Sequence, residues 1–472
     1  MGRILLVKPF VFLHRNQNLE LPLGIMMLSA YLKQRLGGRV TISLLDLRLE
    51  RNRTGALFDV LRSERPDIVG LSLMNFERPF LEQSLAPIRE AAPNALIVAG
   101  GAYPTAHAKE VLLSFPAVDI VVCGEGEETF LDVVENHLSG RDVRGIPGTV
   151  FREGRNIVYS SPRPFIEPLD RLPMPDYGSV DIERYFVPHT PMNVISAHNR
   201  YVILMTSRGC PYQCAYCHEI MGKIFRPHSP ERVLAEIRHL YDRYGIREFH
   251  IVDDIFNLDR ERMRRILHGV IEQGLKVYFA FPNGIRGDFL DKEDIVLMKE
   301  AGVYNMTFSI ETATPRIQEL VGKRLDVGKA MKNIRYAHHQ GIVTKAYFMV
   351  GFPTETVEEI ERTFSLSRDP ALDMVSYFKV APFSHTRLYR MLRKMDTGDE
   401  KGEEPIDYFT GRSWYEKKTD IPLNRMIFWA YLRFYFPWRL WRLLWRLPRP
   451  FAFLSRSFYH LSLIFHLRRK NS

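Results

Sequence analysis

The sequence predicts an α/β protein: a parallel sheet covered by helices, then a partial (β/α)6 barrel, then a basic, aromatic, helical tail. Three observations carry this. Apolar strand runs alternate with amphipathic helical stretches across residues 1–140 and again across 201–400, which implies parallel strands joined by crossover helices. Seven prolines between Pro162 and Pro191 separate the two alternations, a density hostile to regular elements. Finally, the net charge of +10 resides in residues 421–472, which hold nine Arg, one Lys and no Asp or Glu. The 472 residues are 46% apolar, enough for two or three cores, and exclude a disordered, collagen-like or disulfide-stapled chain.

In the first part, Arg3–Val7, Val40–Leu45, Ile68–Leu73, Ala95–Ala99 and Val118–Val122 read as strands. Leu21–Arg35, Gly55–Arg65, Pro79–Ala91, Thr105–Phe115 and Glu127–Leu138 read as helices. Such a sheet binds ligands beyond the carboxyl ends of its strands, where Gly100-Gly101 and Gly124-Glu125-Gly126-Glu127 stand. Nothing matches GxGxxG, which disfavours a nicotinamide site. Residues 141–200 read as a linker, with a hairpin over Gly148–Ser160 turning at Glu153-Gly154. In the second part the strands are Tyr201–Ser207, Glu248–Val252, Lys276–Ala280, Tyr304–Ile310, Val343–Val350 and Met374–Val380. The helices are Pro230–Tyr244, Asp259–Gln273, Lys292–Ala301, Val327–His339 and Val357–Ser367. Six units with this spacing suggest a partial barrel with its chemistry at the strand C-termini. A second doubly wound sheet is the alternative.

Cys210, Cys214 and Cys217 have C-x3-C-x2-C spacing directly after the first strand of the second part. Thiolates this close can converge on a soft metal centre. A structural zinc site wants four ligands, and His218 offers a Cys3His alternative. A four-iron cluster on three cysteines instead leaves one iron free. The fourth cysteine, Cys123, ends an apolar strand and reads as packing.

With Tyr216 before the last cysteine, this segment resembles the signature of the radical S-adenosylmethionine (SAM) superfamily. The resemblance implies a [4Fe–4S] cluster on the three thiolates, SAM on the free iron, a 5′-deoxyadenosyl radical, and a reductant such as flavodoxin or ferredoxin. Later signals match in order. Phe249-His-Ile-Val-Asp-Asp254 implies Asp253 or Asp254 near the methionyl amine, where the family commonly has Gly-Gly-Glu. Glu311 ends Phe308-Ser-Ile-Glu311 as a contact to the methionyl or ribose end. Gly351 lies in the adenine loop, Phe348-Met-Val-Gly-Phe-Pro-Thr-Glu355, and Pro382 in the sixth-strand ending, Val380-Ala-Pro-Phe-Ser-His-Thr386.

The first part resembles the Rossmann-like cobalamin-binding domain that precedes one large subclass of these enzymes. Leu21-Pro-Leu-Gly-Ile25, Asp67-Ile-Val-Gly-Leu-Ser72, Val98-Ala-Gly-Gly-Ala-Tyr103 and Cys123-Gly-Glu-Gly-Glu127 carry that resemblance. It implies Gly24, Ser72, Gly100, Gly101, Gly124 and Glu127 as cobalamin contacts. Asp-x-His-x-x-Gly is absent after the first strand, so His14 is read as a loop or substrate contact and bound cobalamin as lacking a protein histidine on cobalt. The subclass includes methyltransferases acting on an unactivated carbon or phosphinate phosphorus, and the anaerobic Mg-protoporphyrin monomethyl ester cyclase. The implied reaction is methylation of a small molecule, a hydrophobic one if the tail lies on a membrane. The alternative is oxidation, cyclisation or rearrangement of a tetrapyrrole or lipid-like substrate. Cysteines beyond the three ligands are too few for a methylthiotransferase or a multi-cluster maturase. Tyr103, His107, His218, His250 and Tyr347 stand near strand ends as candidates to orient substrate.

The tail repeats arginine at helical intervals (Arg433, Arg439, Arg442, Arg446) beside Trp438, Trp441 and Trp445. Two readings follow: a helix lying on an anionic membrane surface, or one packing on the barrel under its arginine stems. A further apolar segment reaches Leu467. The cysteine pattern and the lack of a signal peptide place the protein in the cytoplasm, peripheral on the inner membrane face under the first reading. A zinc-stabilised nucleic-acid-binding protein is the alternative of another class, disfavoured because residues 1–420 carry 55 basic and 55 acidic side chains.

Overall fold

In the computed structural model, which describes residues 1–10, 19–186, 195–383, 386–395 and 413–457, the first alternation forms one seven-stranded sheet. Its elements are β1 (Gly2–Lys8), α1 (Leu23–Leu36), β2 (Val40–Asp46), α2 (Arg53–Glu64), β3 (Ile68–Ser72), α3 (Arg78–Ala91) and β4 (Leu96–Gly100). They continue through α4 (Ala102–Ser114), β5 (Ile120–Val122), α5 (Gly126–Leu138), β6 (Thr149–Glu153) and β7 (Asn156–Tyr159). The order is β2-β1-β3-β4-β5-β6-β7, with β1 to β5 parallel and the β6–β7 hairpin antiparallel. Leu5, Val7, Val69 and Leu71 face one core and Ile4, Leu6, Ile68 and Val98 the other. Burial on both faces is why these strands read as continuous apolar runs.

The chain divides into two compact units, Met1–Met192 and Asn193–Ser472. The expected hairpin forms, Glu153 opposite Asn156, but it extends the first sheet from β5 instead of standing in a linker. The proline-rich run likewise belongs to the first unit. Ile166, Leu169 and Leu172 are buried with Met27 and Tyr31 of α1, and the Tyr185 hydroxyl donates to Asp46 at 2.9 Å. Prolines limit this run to short 3-10 turns but do not prevent apolar anchoring.

The second unit contains β8 (Tyr201–Leu204), β9 (Ser207–Arg208), β10 (Arg226–Pro227), α6 (Pro230–Tyr244), β11 (Glu248–Ile251), α7 (Arg260–Glu272) and β12 (Tyr278–Ile285). Next come α8 (Lys292–Glu300), β13 (Val303–Glu311), α9 (Pro315–Leu320), α10 (Val327–His339), β14 (Val343–Val350), α11 (Val357–Ser367), β15 (Met374–Lys379) and α12 (Arg387–Met395). The six-stranded sheet is parallel and ordered β15-β14-β13-β12-β11-β8. Each strand lies beside its sequence neighbour with no reversal of order. Right-handed crossovers then place every helix on one face and leave the other as a lumen, which decides for a barrel-type core over a second doubly wound sheet. β12 runs past Pro282-Asn283-Gly284 through a register shift, where the sequence reading stopped at Ala280.

The tail forms α13 (Trp414–Thr419), α14 (Leu423–Phe434) and α15 (Pro437–Arg446), with Pro437 starting a new helix. The residues beyond 457, including the segment to Leu467, lie outside the described residues. α14 serves the edge strand. The Tyr377 N–H donates to the Tyr431 hydroxyl at 2.9 Å, and the Tyr435 hydroxyl engages both the N–H and the carbonyl of Val375 at 3.3 Å. Tyrosines thus satisfy backbone groups that an open edge would expose. Replacing both by Phe should lower stability by about 1–3 kcal/mol and promote self-association, as read by thermal melting and light scattering.

Of the four arginines spaced along the tail, Arg433 is exposed, whereas Arg439, Arg442 and Arg446 turn to the barrel. Arg439 donates to the Arg368 carbonyl at 2.8 Å, Arg442 to that of Pro370 at 2.5 Å, and Arg446 to that of Ile342 at 2.9 Å. Carbonyls just past the end of α11 attract cations for the same reason that helix C-termini do. Leu443 and Leu447 join Ala280, Val343 and Met374 in a core cluster at one end of the barrel strands. Trp438, Trp441 and Trp445 remain outside, 54%, 66% and 87% exposed. Among the described residues no helix is long and apolar enough to cross a membrane.

Candidate functional site

The cysteine segment is a loop closed at its neck. β9 and β10 pair antiparallel, Arg208 opposite Arg226 and Ser207 opposite Pro227. Gly209 enters the loop at φ +81°, where an added Cβ would lie 2.2 Å from the Ile224 carbonyl oxygen. Only glycine fits there. Between the second and third cysteines, Ala215 is drawn into the barrel wall. Its N–H donates to the Val321 carbonyl at 2.7 Å and its carbonyl accepts from Leu388 N–H at 2.8 Å, while its methyl is buried with Ile317, Phe352 and Val380. Tyr212 is held from above by the Arg286 guanidinium, 4.4 Å from its ring centroid, and Lys223 Nζ donates to its carbonyl at 3.0 Å. Cys210, Cys214 and Cys217 are free and half-buried.

Burial, aided by the neighbouring Cys214, pushes the Cys217 thiol up to about 12, and burial likewise raises Cys210. Such thiols ionise only against a compensating cation. Among the described residues, no three His, Cys, Asp or Glu side chains lie close enough to share one metal ion. Cys123 stands apart in the first unit, packed against its core, its thiol pushed up to about 11 by burial.

The two neighbouring aspartates part company. Asp253 is buried, accepting from the Thr206 N–H, the Thr206 hydroxyl and the Ser207 hydroxyl, each at 2.6 Å. It ties the end of β11 to the neck of the cysteine loop. Asp254 points outward, 3.5 Å from Nε2 of His218 on that loop. Glu311 occupies the left-handed region at φ +69° where the β13–β14 register shifts, and its carboxylate pairs with Lys323 Nζ at 2.8 Å. A non-glycine residue held there stores strain of the kind found at functional sites.

Gly351 ends β14 at φ +86°, and a Cβ there would lie 2.6 Å from Leu423 of α14. Its N–H donates to Glu355 Oε2 at 2.7 Å, as does that of Phe352 at 3.0 Å. Tyr415 of α13 donates to the Glu355 carbonyl at 2.5 Å, so the C-terminal extension backs this loop directly. Pro382 follows β15 by three residues, and His385 lies outside the described residues. Burial pushes the Glu355 carboxyl up to about 7. Folding therefore favours its protonated form, and stability falls as pH rises from the unfolded value near 4.5 through 7, by about 3 kcal/mol in all. Glu355→Gln should raise the thermal midpoint above pH 7 and leave it unchanged below pH 5.

In the first unit, the strand order reverses between β1 and β3, the switch point at which such sheets bind ligands. Gly24 and Ser72 flank it, a Cβ on Gly24 lying 3.8 Å from Ser72 Oγ. Gly101, at φ +96°, lets α4 start against Leu73, and Gly124, at φ +75°, is open with nothing within 4 Å of its Cβ position. Bare backbone at Gly24 and Gly124 fits close approach by a large planar ligand. The Gly100 carbonyl accepts from Leu73 N–H at 2.8 Å. Glu127 is buried in the first turn of α5. His14 lies outside the described residues.

The sequence reading missed Lys323, Arg286 and Glu355. Lys323 follows Glu311 by 12 residues with no periodic signal, and Arg286 meets Tyr212 only through the fold. Among the named candidates, Tyr347 donates to the Pro282 carbonyl at 2.6 Å. His250 Nε2 pairs with Glu248 at 2.7 Å, and His107 stacks on Tyr103, centroids 5.0 Å apart.

Comparison with known proteins agrees with this geometry. The profile of the radical SAM superfamily matches residues 204–366, and that of the B12 binding domain residues 13–134. An uncharacterised methyltransferase of Pyrococcus horikoshii is 30% identical over 371 residues, 78% of this chain and 77% of that protein. The anaerobic magnesium-protoporphyrin IX monomethyl ester cyclase of Cereibacter sphaeroides is 28% identical over 343 residues, 71% of this chain but only 55% of that enzyme. The solved structure of TsrM, a radical SAM methyltransferase from Kitasatospora setae, superposes with a TM-score of 0.70 at 20% identity, covering 84% of this chain and 76% of TsrM. Sheet order, cysteine loop and matched profiles agree: the chain belongs to the cobalamin-binding radical SAM enzyme family, whose cofactors are a [4Fe–4S] cluster, SAM and cobalamin.

Proposed function

We propose that this enzyme methylates an unactivated carbon or phosphinate phosphorus of a small molecule. The observation that carries the reading is one chain holding both a cysteine loop backed by a one-sided barrel and a glycine-lined switch point suited to a corrin. When bound, the cluster with SAM supplies a hydrogen-abstracting radical, and cobalamin supplies a transferable methyl group. Cys210, Cys214 and Cys217 would hold the cluster. Asp254, exposed beside His218, is the carboxylate to meet the methionyl ammonium, since the oxygens of buried Asp253 already accept three donors. Glu311, fixed by Lys323, serves the methionyl or ribose end. The Gly351 turn and Pro382 shape the adenine side, with Glu355 holding the turn through two backbone N–H groups. Gly24, Ser72, Gly100, Gly101 and Gly124 line the corrin side.

The test is anaerobic turnover with a chemical reductant or flavodoxin. Both 5′-deoxyadenosine and S-adenosylhomocysteine should form in the presence of substrate. 5′-Deoxyadenosine without S-adenosylhomocysteine would favour the second reading, oxidation or cyclisation, to which the cyclase relative points.

The exposed tryptophans of α15 favour one addition, an anionic bilayer as the seat of the tail. Phe428, Trp429 and Phe436 are also exposed, and no acidic residue occurs from 421 to 472. Indole rings partition to the headgroup region. Flotation with phosphatidylglycerol vesicles should be lost when Trp438, Trp441 and Trp445 are replaced by Ser.

A further inference from the structure

Buried Lys323 and Lys379 and half-buried Lys8 have acidic partners. Lys323 pairs with Glu311 at 2.8 Å, Lys379 with Glu416 at 3.3 Å and Lys8 with Glu77 at 2.5 Å. Lys345, half-buried on β14, departs from that arrangement. Among the described residues its ammonium has no carboxylate, only the ring of Tyr347, 4.8 Å from Nζ to centroid. Burial alone pulls its amine down to about 8.

The strand register shows which way Lys345 faces. On β14, Phe348 packs near Tyr377 of β15, which in turn meets Phe364 of α11, so that face is the helix side. Lys345 and Tyr347 alternate with Phe348 and therefore face the lumen. Tyr347 confirms this by meeting Phe378 edge-on at 5.4 Å and reaching the Pro282 carbonyl two strands away. Ser309 and Ser376 are the register partners of Tyr347 on either side. Both are half-buried, and neither hydroxyl has a hydrogen-bond partner among the described residues.

A lone ammonium inside a barrel is costly unless a partner arrives. Unused hydroxyl donors on the adjoining strands, at the next level up, supply the rest of an oxyanion's hydrogen bonds. We propose that Lys345, with Ser309 and Ser376, is the seat of an anionic group of the substrate, a carboxylate or a phosphorus oxyanion, in the lumen of the barrel. This rests on the reading of that lumen as the substrate chamber of a radical enzyme, and it narrows the substrate class to molecules carrying such a group. Lys345 acts as a positioning and specificity residue.

The test uses the reconstituted full-length enzyme, reductively methylated with ¹³C-formaldehyde so that every lysine keeps its charge and reports by NMR. The Lys345 resonance is identified by its loss in Lys345→Arg. With SAM already bound, methylphosphonate and acetate should each shift that resonance saturably, the stronger response naming the kind of oxyanion. Ser309→Ala with Ser376→Ala should weaken the response about tenfold or more. Lys345→Met should melt higher than the unaltered enzyme, because it removes a half-buried ammonium that has no carboxylate beside it.

Three results would overturn the proposal. One is no response to either anion. Another is a response abolished by SAM and accompanied by weaker SAM binding in Lys345→Met, which would assign the lysine to the methionyl carboxylate. The third is a lower melting point in Lys345→Met, which would make it a structural residue. If the unaltered enzyme never cleaves SAM, the functional reading fails instead, and the NMR response is read independently of it.

Discussion

Cys217→Ser protein, reconstituted without oxygen, is expected to assemble no stable cluster and to form 5′-deoxyadenosine only at the level of a cluster-free control. A complete site should bind about four irons per chain. The same result is expected for Cys210 and Cys214, whereas Cys123→Ser should keep full iron, since that thiol packs against the first core and belongs to the other unit. The loop adds a sharper version. Gly209→Ala leaves all three thiols in place but sets a Cβ 2.2 Å from the Ile224 carbonyl, so iron incorporation should fall with the ligands intact. Iron and acid-labile sulfide analysis, with the visible absorption of the cluster, measures each case. Normal iron in Cys217→Ser would remove the basis for the assigned ligand set.

Lys323→Met should destabilise the second unit by about 3–5 kcal/mol, because it leaves Glu311 charged, buried and unpaired. The pair lies almost wholly inside, its side chains 8% and 10% exposed. Adding Glu311→Gln should restore much of that stability, since the charge is then gone. SAM binding should stay weak in the double variant, because a carboxylate that only stabilised the fold would be dispensable there and one that meets the cofactor would not. Chemical denaturation followed by circular dichroism gives the first quantity, and equilibrium binding of SAM the second. Recovery of both would reduce Glu311 to a structural role.

Much of the architecture was legible from residue patterns alone. Val343–Val350, Pro230–Tyr244, Val327–His339 and Val357–Ser367 have the bounds read from the sequence, because strong apolar periodicity and clear end signals coincide there. Boundaries failed where tertiary contacts overrode local signals. The break at Pro282-Asn283-Gly284 is absorbed as a bulge within β12. The segment after Pro162 holds only short 3-10 turns among its described residues yet is anchored to α1 through Ile166 and Leu169. The two-residue ladder that closes the cysteine loop is too short to leave a periodic trace.

The sequence by itself determined the two alternations, the three clustered thiols and the placement of all basic excess in the tail, since each depends on local spacing or composition. Only the tertiary structure decided which of Asp253 and Asp254 is buried, that Lys323 answers Glu311, that α13 and α14 back the Gly351 turn, and that Arg439, Arg442 and Arg446 serve the barrel while the tryptophans of α15 stay outside. Those outcomes depend on which chain-distant groups meet in a low-dielectric interior. There, a carboxylate or guanidinium takes whichever partner the packing brings within reach.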